Sequence, residues 1–395
     1  MMIAPITLPK TQQTPGTHAG CGPIVLAAGG TGGHFFPAEA LARELSSRGH
    51  HVVLMTDARS GGERSPVFAA AHVLQGAGLV GRGPVRAARG ALALAAGTLE
   101  ARRILAGLAP AVIVAFGGYP SVPPVLAASL LNVNLLRRRP AVILHEGNAM
   151  LGGANRALAR FADHLALGFT RTGRLPPGKP TTVTGLPIRP GFARSPYHPP
   201  EPGAPIRLLV TGGSLGARIL GRAVPAAIAM LPGSLRARLA ITQQCRAEDM
   251  DHVRAAYAAA GVTAELATFL EDMPRRVAEA HFMIGRAGAS TVAELAAVGR
   301  PALLIPLPSP DSHQRHNAEA VDATYLDQAE LQHDPAKLAD LLSHRLDCPD
   351  MLAVAAHAIA AHGIGDAARR LADLVEQVTQ PPLTQPHLTQ NRTSP

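Results

Sequence analysis

The sequence predicts two doubly wound α/β domains, and three of its features say so. At 395 residues the chain outruns one ordinary core, which makes two domains the expectation. An apolar strand, a glycine turn and an amphipathic helix follow one another at residues 25–57 and again at 206–231. Between and after these units, short apolar runs alternate with helical patterns, as parallel strands joined by helical crossovers do.

The first 21 residues carry no charged stretch leading into an apolar one, so they are expected to be a disordered leader and not a secretory signal. Ile24 to Ala28 is a short apolar run followed by turn residues, the pattern of a buried parallel strand. Pro37 is expected in the first turn of the next helix, where its missing N–H costs nothing. Leu41 and Leu45 repeat at i, i+4, Gly49 stops the helix, and "HVVLMTD" is the next strand. "PAVIVAFGGYPS", "AVILHEGNAM" and "ADHLALGF" add strands to this half. The proline-dense stretch at 189–205 reads as the connection. "IRLLVT", "RLAITQQC", "AHFMIGRAGAS" and "PALLIPLP" supply the strands of the second half. The divisions are a leader at 1–21, a first domain at 22–192, a linker at 193–205 and a second domain at 206–350. C-terminal helices at 351–378 are expected to return toward the first domain, and a polar tail at 379–395 is expected to be disordered.

Composition narrows the function. With 47% hydrophobic and 16% charged residues, the chain reads as soluble and globular. No apolar run approaches the length of a transmembrane helix. Cys21, Cys245 and Cys348 lie far apart with no C-x-x-C, which argues against a disulfide framework or a cysteine metal site and for a reducing cytoplasm. The formal charge of +9 is almost all arginine, since only three residues are lysine. The excess fits coding bias, or attraction to phosphates and an anionic membrane surface. With 3% aromatics and no Trp, stacking platforms for bases are scarce, so nucleic acid is not expected as a partner.

A glycine turn at a helix N-terminus offers bare N–H groups and a positive dipole end, which suits phosphate. The first turn is not G-x-G-x-x-G, because Phe35 stands where the third glycine belongs, and neither turn has the G-K-[ST] of a P-loop. Tight strand–helix packing is the alternative use of these glycines. A stronger signal is "GRAGASTVAELAAVGRPALLIP", residues 285–306. Ser290 and Thr291 sit at a helix start and can cap it or contact phosphate. Glu294, expected on the first turn, can close a capping box or accept bonds from ribose hydroxyls. The polar loop "PSPDSHQRHNA" at 308–318 enters another helix at the edge where open α/β sheets form their ligand crevice.

Eight stretches occur in order over residues 29–318: "GGTGGHFFPAEALA", "FGGYPSVPPVLAA", "HEGNAMLGGANRALARFAD", "TGLPIRP", "TGGSLGAR", "FLEDMP", "RAGASTVAELAAVGRPALLIPLP" and "DSHQRHNA". Together they resemble the MurG family, GT-B glycosyltransferases of family 28 that act in peptidoglycan synthesis. The resemblance implies two Rossmann-like domains facing a cleft, with no metal and no cofactor. It implies that the second half binds UDP-GlcNAc and the first half a lipid-linked acceptor, undecaprenyl-pyrophosphoryl-MurNAc-pentapeptide (lipid I). Thr31, Gly32 and Gly33 would lie beside the donor sugar and diphosphate, and Asn148 would contact the GlcNAc. Arg189 would neutralise the diphosphate, Ser214 would bond a phosphate oxygen, and Leu270 would present its backbone to the uracil. Ala289, Ser290, Thr291, Val292, Ala293 and Glu294 would hold diphosphate and ribose, and Gln314 the GlcNAc hydroxyls. Three positions depart from the family pattern: Gly147, Leu186 and Leu215 each stand where a side-chain amide is usual.

The reaction so implied is inverting transfer of GlcNAc to the acceptor's C4 hydroxyl, giving lipid II. It needs a base on the hydroxyl and positive potential on the leaving diphosphate. Helix N-termini and Arg189 supply that potential. His34 is the expected base, since it follows the phosphate turn and titrates near neutrality; a bond to backbone or phosphate is its other reading. Glu146 is the rival base. Tyr119 and His145 are expected to shape the acceptor pocket or to support it from the core. A lipid-anchored acceptor implies a peripheral protein on the cytoplasmic side of the inner membrane, with room for other cell-wall synthesis proteins as partners. Leu79, Val80, Arg82, Val85, Arg86 and Arg89 are the candidate contact with the anionic leaflet; the alternative is a solvated helix whose Leu92 and Leu99 pack inward. Another GT-B transferase with a lipid acceptor, a UDP-GlcNAc epimerase and a non-catalytic sugar-nucleotide-binding protein are the rival functions.

Overall fold

The computed structural model of the chain describes residues 22–29, 32–58, 65–74, 84–131, 139–213 and 216–379. The leader at 1–21 and the tail from 380 lie outside them. Two parallel sheets organise the chain. The first contains β1 (Ile24–Ala27), β2 (Val52–Thr56), β3 (Ala70–Val73), β4 (Val112–Ala115), β5 (Ala141–Glu146), β6 (His164–Leu167) and β7 (Thr181–Val183), in the order β3-β2-β1-β4-β5-β6-β7. The second contains β8 (Ile206–Thr211), β9 (Leu239–Gln244), β10 (Ala264–Ala267), β11 (Phe282–Gly285), β12 (Ala302–Leu304) and β13 (Thr324–Tyr325), in the order β10-β9-β8-β11-β12-β13. In each sheet the order reverses at one place, between β1 and β4 and between β8 and β11. Chains leaving adjacent strands there turn to opposite faces and open a crevice at the strand C-termini.

The helices are α1 (Gly32–Ser47), α2 (Pro84–Leu108), α3 (Val122–Leu130), α4 (Gly153–Leu158), α5 (Arg218–Met230), α6 (Gly233–Arg236), α7 (Met250–Ala259), α8 (Met273–Glu279), α9 (Ala289–Val298), α10 (His313–Ala320), α11 (Gln328–His333), α12 (Ala336–Leu346), α13 (Pro349–Ala361) and α14 (Ala367–Thr379). The helix after the first glycine turn begins five residues ahead of Pro37, so the proline lies inside α1 and not in its first turn. It is tolerated because few ladder bonds precede it, and its ring is buried. Helix α14 runs through Thr379, one residue into the expected tail.

Both faces of the first sheet are covered. On one, Leu26 and Leu54 of the strands pack with Leu41 and Leu45 of α1 and with Leu371, Leu374 and Val375 of α14. On the other, Val25, Val53 and Ile113 meet Ala101 and Leu105 of α2 and Val125 of α3. The last described helix thus completes the core of the first domain. Its polar side is fastened by Arg48, which pairs with Asp373 at 2.7 Å and Glu376 at 2.9 Å. The crossover before α14 passes hard against the first domain: Gly185 has φ +81°, and a side chain there would come within 2.8 Å of Ile364.

The proline-rich connection is docked, not free. Arg300, 3% exposed, donates to the carbonyls of Ser195, Pro196, Ala278 and Gly299 and to Ser195 Oγ. Its guanidinium also lies 5.5 Å from the Tyr197 ring centroid, and Tyr197 Oη donates to the His281 carbonyl at 2.8 Å. Burial holds the Arg300 pKa below its ordinary value, because carbonyls and not a carboxylate surround the charge. Next to it, burial and the Arg207 and Arg300 charges push His281 down to about 4. Arg300→Ala removes this knot and is expected to cost about 2–4 kcal/mol, read as a lower urea midpoint of the second domain. Arg194→Ala loses one bond to the Ala360 carbonyl and is expected to cost about 1 kcal/mol. Equal midpoints for the two variants would show that the linker does not depend on Arg300.

Candidate active site

The first wall of the crevice is built where β1 and β4 end. Past β4, Gly117 and Gly118 take φ of +82° and +69°, a region that strongly favours glycine. Ser121 Oγ donates to the carbonyls of Ala27 and Gly117 at 3.1 and 2.8 Å and ties this turn to the end of β1. His34, on the first turn of α1, lies over it: a side chain at Gly118 would meet the His34 ring at 3.4 Å. Burial lowers the His34 pKa, with the Glu146 charge pulling the other way. The imidazole is therefore neutral at neutral pH and free to accept a proton. Tyr119 sits half-buried just beyond.

Glu146 ends β5 and is 4% exposed. Its Oε1 accepts from the Asn148 backbone N–H at 2.9 Å and from Asn148 Nδ2 at 3.0 Å. Its Oε2 accepts from the Gly152 N–H at 2.8 Å and from Asn155 Nδ2 at 3.0 Å. Four donors saturate the carboxylate, which folds the 147–155 loop around itself. His145 is 1% exposed and has no surface for an acceptor. Its Nε2 donates to the Gly185 carbonyl at 3.1 Å, and its ring packs 5.2 Å from that of Phe116. Of its two expected roles, the geometry leaves the supporting one.

The second wall is the turn from β11 into α9. The N-cap is Gly288, and no side chain caps the helix, so Ser290 and Thr291 are not caps. Ser290 Oγ is buried without a hydrogen-bond partner among the described residues, an orphan group of the kind a ligand satisfies. Val292 is core, and Ala293 is half-buried. Glu294 stands on the second turn of α9, not the first, and closes no capping box. Instead its Oε1 accepts from Arg189 Nε and Nη2 at 3.1 and 3.0 Å. Burial raises the Glu294 pKa, and the Arg189 charge offsets part of the rise. Gln314 Oε1 accepts from the N–H groups of Ala287 and Leu307 at 3.2 and 2.9 Å, so its carbonyl shapes the loop. Leu270 is buried after β10, beside Phe269, which is 62% exposed.

Sequence reasoning missed one of the residues that join the two walls. Asn317 of α10 is fully buried. Its Oδ1 accepts from the Ala149 N–H at 2.8 Å, and its Nδ2 donates to Asn148 Oδ1 at 3.2 Å and to the Ala287 carbonyl at 3.0 Å. It lay in a quoted stretch, but its signal was only a polar residue on a helix. The departures Gly147 and Leu186 are neighbours: Leu186 Cδ1 lies 3.2 Å from where a Gly147 Cβ would stand. Thr31, Ser214, Leu79, Val80, Arg82 and the departure Leu215 lie outside the described residues, while Val85 and Arg86 lie in α2 with their side chains outside the description. Arg89 is exposed. Leu92 and Leu99 do not pack inward; they are 72% and 54% exposed, because α2 turns Ala101 and Leu105 to the sheet instead.

Both domains match family models. Residues 24–167 match the glycosyltransferase family 28 N-terminal domain, and residues 207–371 match the glycosyltransferase family 28 C-terminal domain. The chain belongs to glycosyltransferase family 28. A family member from Acidiphilium cryptum is 55% identical over 89% of this chain and 96% of its own length. Another, from Granulibacter bethesdensis, is 53% identical over 90% and 93%. Both are named UDP-N-acetylglucosamine–N-acetylmuramyl-(pentapeptide) pyrophosphoryl-undecaprenol N-acetylglucosamine transferase. The crystal structure of Acinetobacter baumannii MurG superposes with a TM-score of 0.72 at 28% identity, covering 90% of this chain and 99% of that one.

If Glu146 organises the loop, Glu146→Gln fails as its scaffold. The isosteric amide turns a donor toward donors on one side, at a cost of about 2–4 kcal/mol. Thermal midpoint and sugar-transfer turnover are then expected to fall together. A normal midpoint with lost turnover would make Glu146 the base.

Proposed function

We propose that the protein transfers GlcNAc from UDP-GlcNAc to the C4 hydroxyl of undecaprenyl-pyrophosphoryl-MurNAc-pentapeptide, inverting the anomeric carbon and yielding lipid II. The names of its relatives support the substrates. The observation that carries the reading is Asn317, which bonds the loop beyond Glu146 to Ala287 beside α9. Its bonds support reading the loop around Glu146 and the start of α9 as parts of one site. The donor diphosphate meets the free N–H groups of α9, Ser290 Oγ and Arg189, and the ribose hydroxyls meet Glu294. Asn148 and Gln314 address the GlcNAc, the Leu270 backbone reads the uracil, and the exposed Phe269 ring offers it a stacking face. The acceptor's C4 oxygen bonds to the anomeric carbon as the bond to the diphosphate oxygen breaks, and the hydroxyl proton passes to neutral His34. The UDP charge is held by the helix terminus and Arg189.

The test is turnover of UDP-GlcNAc with a soluble lipid I analogue. His34→Ala is expected to lower turnover about 10²–10⁴-fold with UDP affinity little changed. In the parent, turnover is expected to fall as pH drops through an apparent pKa below the ordinary 6.5 of histidine, where the buried His34 protonates. A folded His34→Ala variant that turns over normally would remove His34 as base.

The lipid acceptor brings the protein to the cytoplasmic face of the inner membrane. No helix among the described residues is long and apolar enough to cross a bilayer. What supports peripheral contact is α2: Leu92 and Leu99 are exposed seven residues apart on one helix face, with Arg89, Arg102 and Arg103 also exposed. The protein is expected to co-sediment with anionic vesicles, less at high salt, and the Leu92→Ser/Leu99→Ser variant to do so weakly. Equal sedimentation of that variant would move the contact away from this face.

A further inference from the structure

Arg189 lies between two aromatic rings. Its guanidinium carbon is 5.3 Å from the Phe36 centroid and 5.4 Å from that of Phe192. Phe192 follows Arg189 by three residues, whereas Phe36 belongs to α1, two residues after His34. Phe36 is itself seated. A side chain at Gly32 would come within 2.7 Å of its ring, and the ring meets that of Phe35 edge-on at 6.1 Å. A chain of contacts therefore runs from the first glycine turn through Phe36 and Arg189 to Glu294 on α9.

The hydrogen bonds give this chain a direction. Arg189 spends Nε and Nη2 on a single oxygen, Glu294 Oε1. Its Nη1 and Glu294 Oε2 have no hydrogen bond among the described residues, and the Arg189 side chain is 31% exposed against 10% for Glu294. One edge of the guanidinium is thus fixed on the carboxylate, and the other is open to the cleft. Aromatic faces attract a cation whichever anion its edges meet, so the rings hold Arg189 in place while a second anion is bound.

We propose that Phe36 is a positioning residue for the donor diphosphate: it holds Arg189 so that one edge stays on Glu294 and the free edge meets the phosphates. The inference rests on the reading of the cleft as a UDP-sugar site. It predicts a split between two ligands. UDP uses the free edge of Arg189, and uridine, without phosphates, does not.

The experiment is calorimetric binding of UDP and of uridine to the full chain and to Phe36 variants. Phe36→Leu is expected to bind UDP about 3- to 30-fold more weakly and uridine within about two-fold of the parent. Phe36→Tyr, which keeps the ring, is expected to restore UDP binding. If Phe36→Leu unfolds by thermal melting, Phe36→Met, which fills the volume without a π face, is measured in its place. Unchanged UDP affinity overturns the proposal. So does an equal loss for UDP and uridine, which would mean that the ring only packs the turn, and so does failure of Phe36→Tyr to recover. A parent that binds neither ligand would instead overturn the UDP-sugar reading itself.

Discussion

The cleft depends on one buried carboxylate. Glu146 stands at the C-terminal end of a central strand, and its four accepted bonds draw the backbone N–H groups of Asn148 and Gly152 and the side chains of Asn148 and Asn155 around it. A buried charge is costly unless its lone pairs are filled, so the loop has little choice of shape while Glu146 is ionised. That shape aims Asn148 Oδ1 and the Ala149 N–H at Asn317. It also places a negative charge near His34 that works against the lowering of its pKa by burial. The same group therefore sets the geometry of one wall, the electrostatics of the neighbouring histidine and the contact with the opposite wall.

The two domains are joined along the chain as well as by side chains that reach from one to the other. The chain crosses between them twice, and neither crossing is slack. The first is pinned by Arg300 through neutral carbonyls. The second delivers α14 into the hydrophobic core of the first domain. Between these, Arg174 reaches Asp311 at 2.6 Å and Arg171 reaches Asp322 at 3.4 Å. Exposed pairs of this kind contribute little each and exchange partners easily. Buried groups thus hold the two crossings, while the remaining ion pairs between the domains are exposed.

Much of the fold was legible because its signals are local. Apolar runs bounded by glycine turns gave the strands, and the repeat of strand, turn and helix gave two units. Pro37 and Glu294 were misplaced by a turn because a helix start was inferred from proline and serine chemistry, whereas α1 begins at Gly32 and α9 at Ala289, after an N-cap Gly288 that has no side chain. At the site, sequence reading named Arg189 and Glu294 separately, each for a different part of the donor. That they bond one another could not be read, since 105 positions separate them. Asn317 was hidden for the same reason: its three partners come from other parts of the fold, so no spacing rule marks it. Leu92 and Leu99 bear on the alternative reading of α2 as a solvated helix that packs them inward. Their period fits an inward stripe, but Ala101 and Leu105 occupy the face that the sheet selects, with Ile104 and Leu108 packed beside them.

The departures Gly147 and Leu186 look in sequence like two independent losses of hydrogen bonding. In space they are one change. Leu186 is 3% exposed and its Cδ1 stands 3.2 Å from the place a Gly147 Cβ would take. A long side chain at 147 would have to displace Leu186, and Leu186 without the glycine would have to move out. The same Cβ position is 3.9 Å from Ala289 Cβ, on the first residue of α9. Two polar groups are thus exchanged for an apolar contact beside a helix N-terminus. Gly147 and Ala289 are both half-buried, so the contact lies at the margin of the cleft, beside the first turn of α9. The two departures therefore compensate one another: the small residue at 147 leaves the space that the Leu186 side chain fills, which is why they occur as a pair and not as two separate losses.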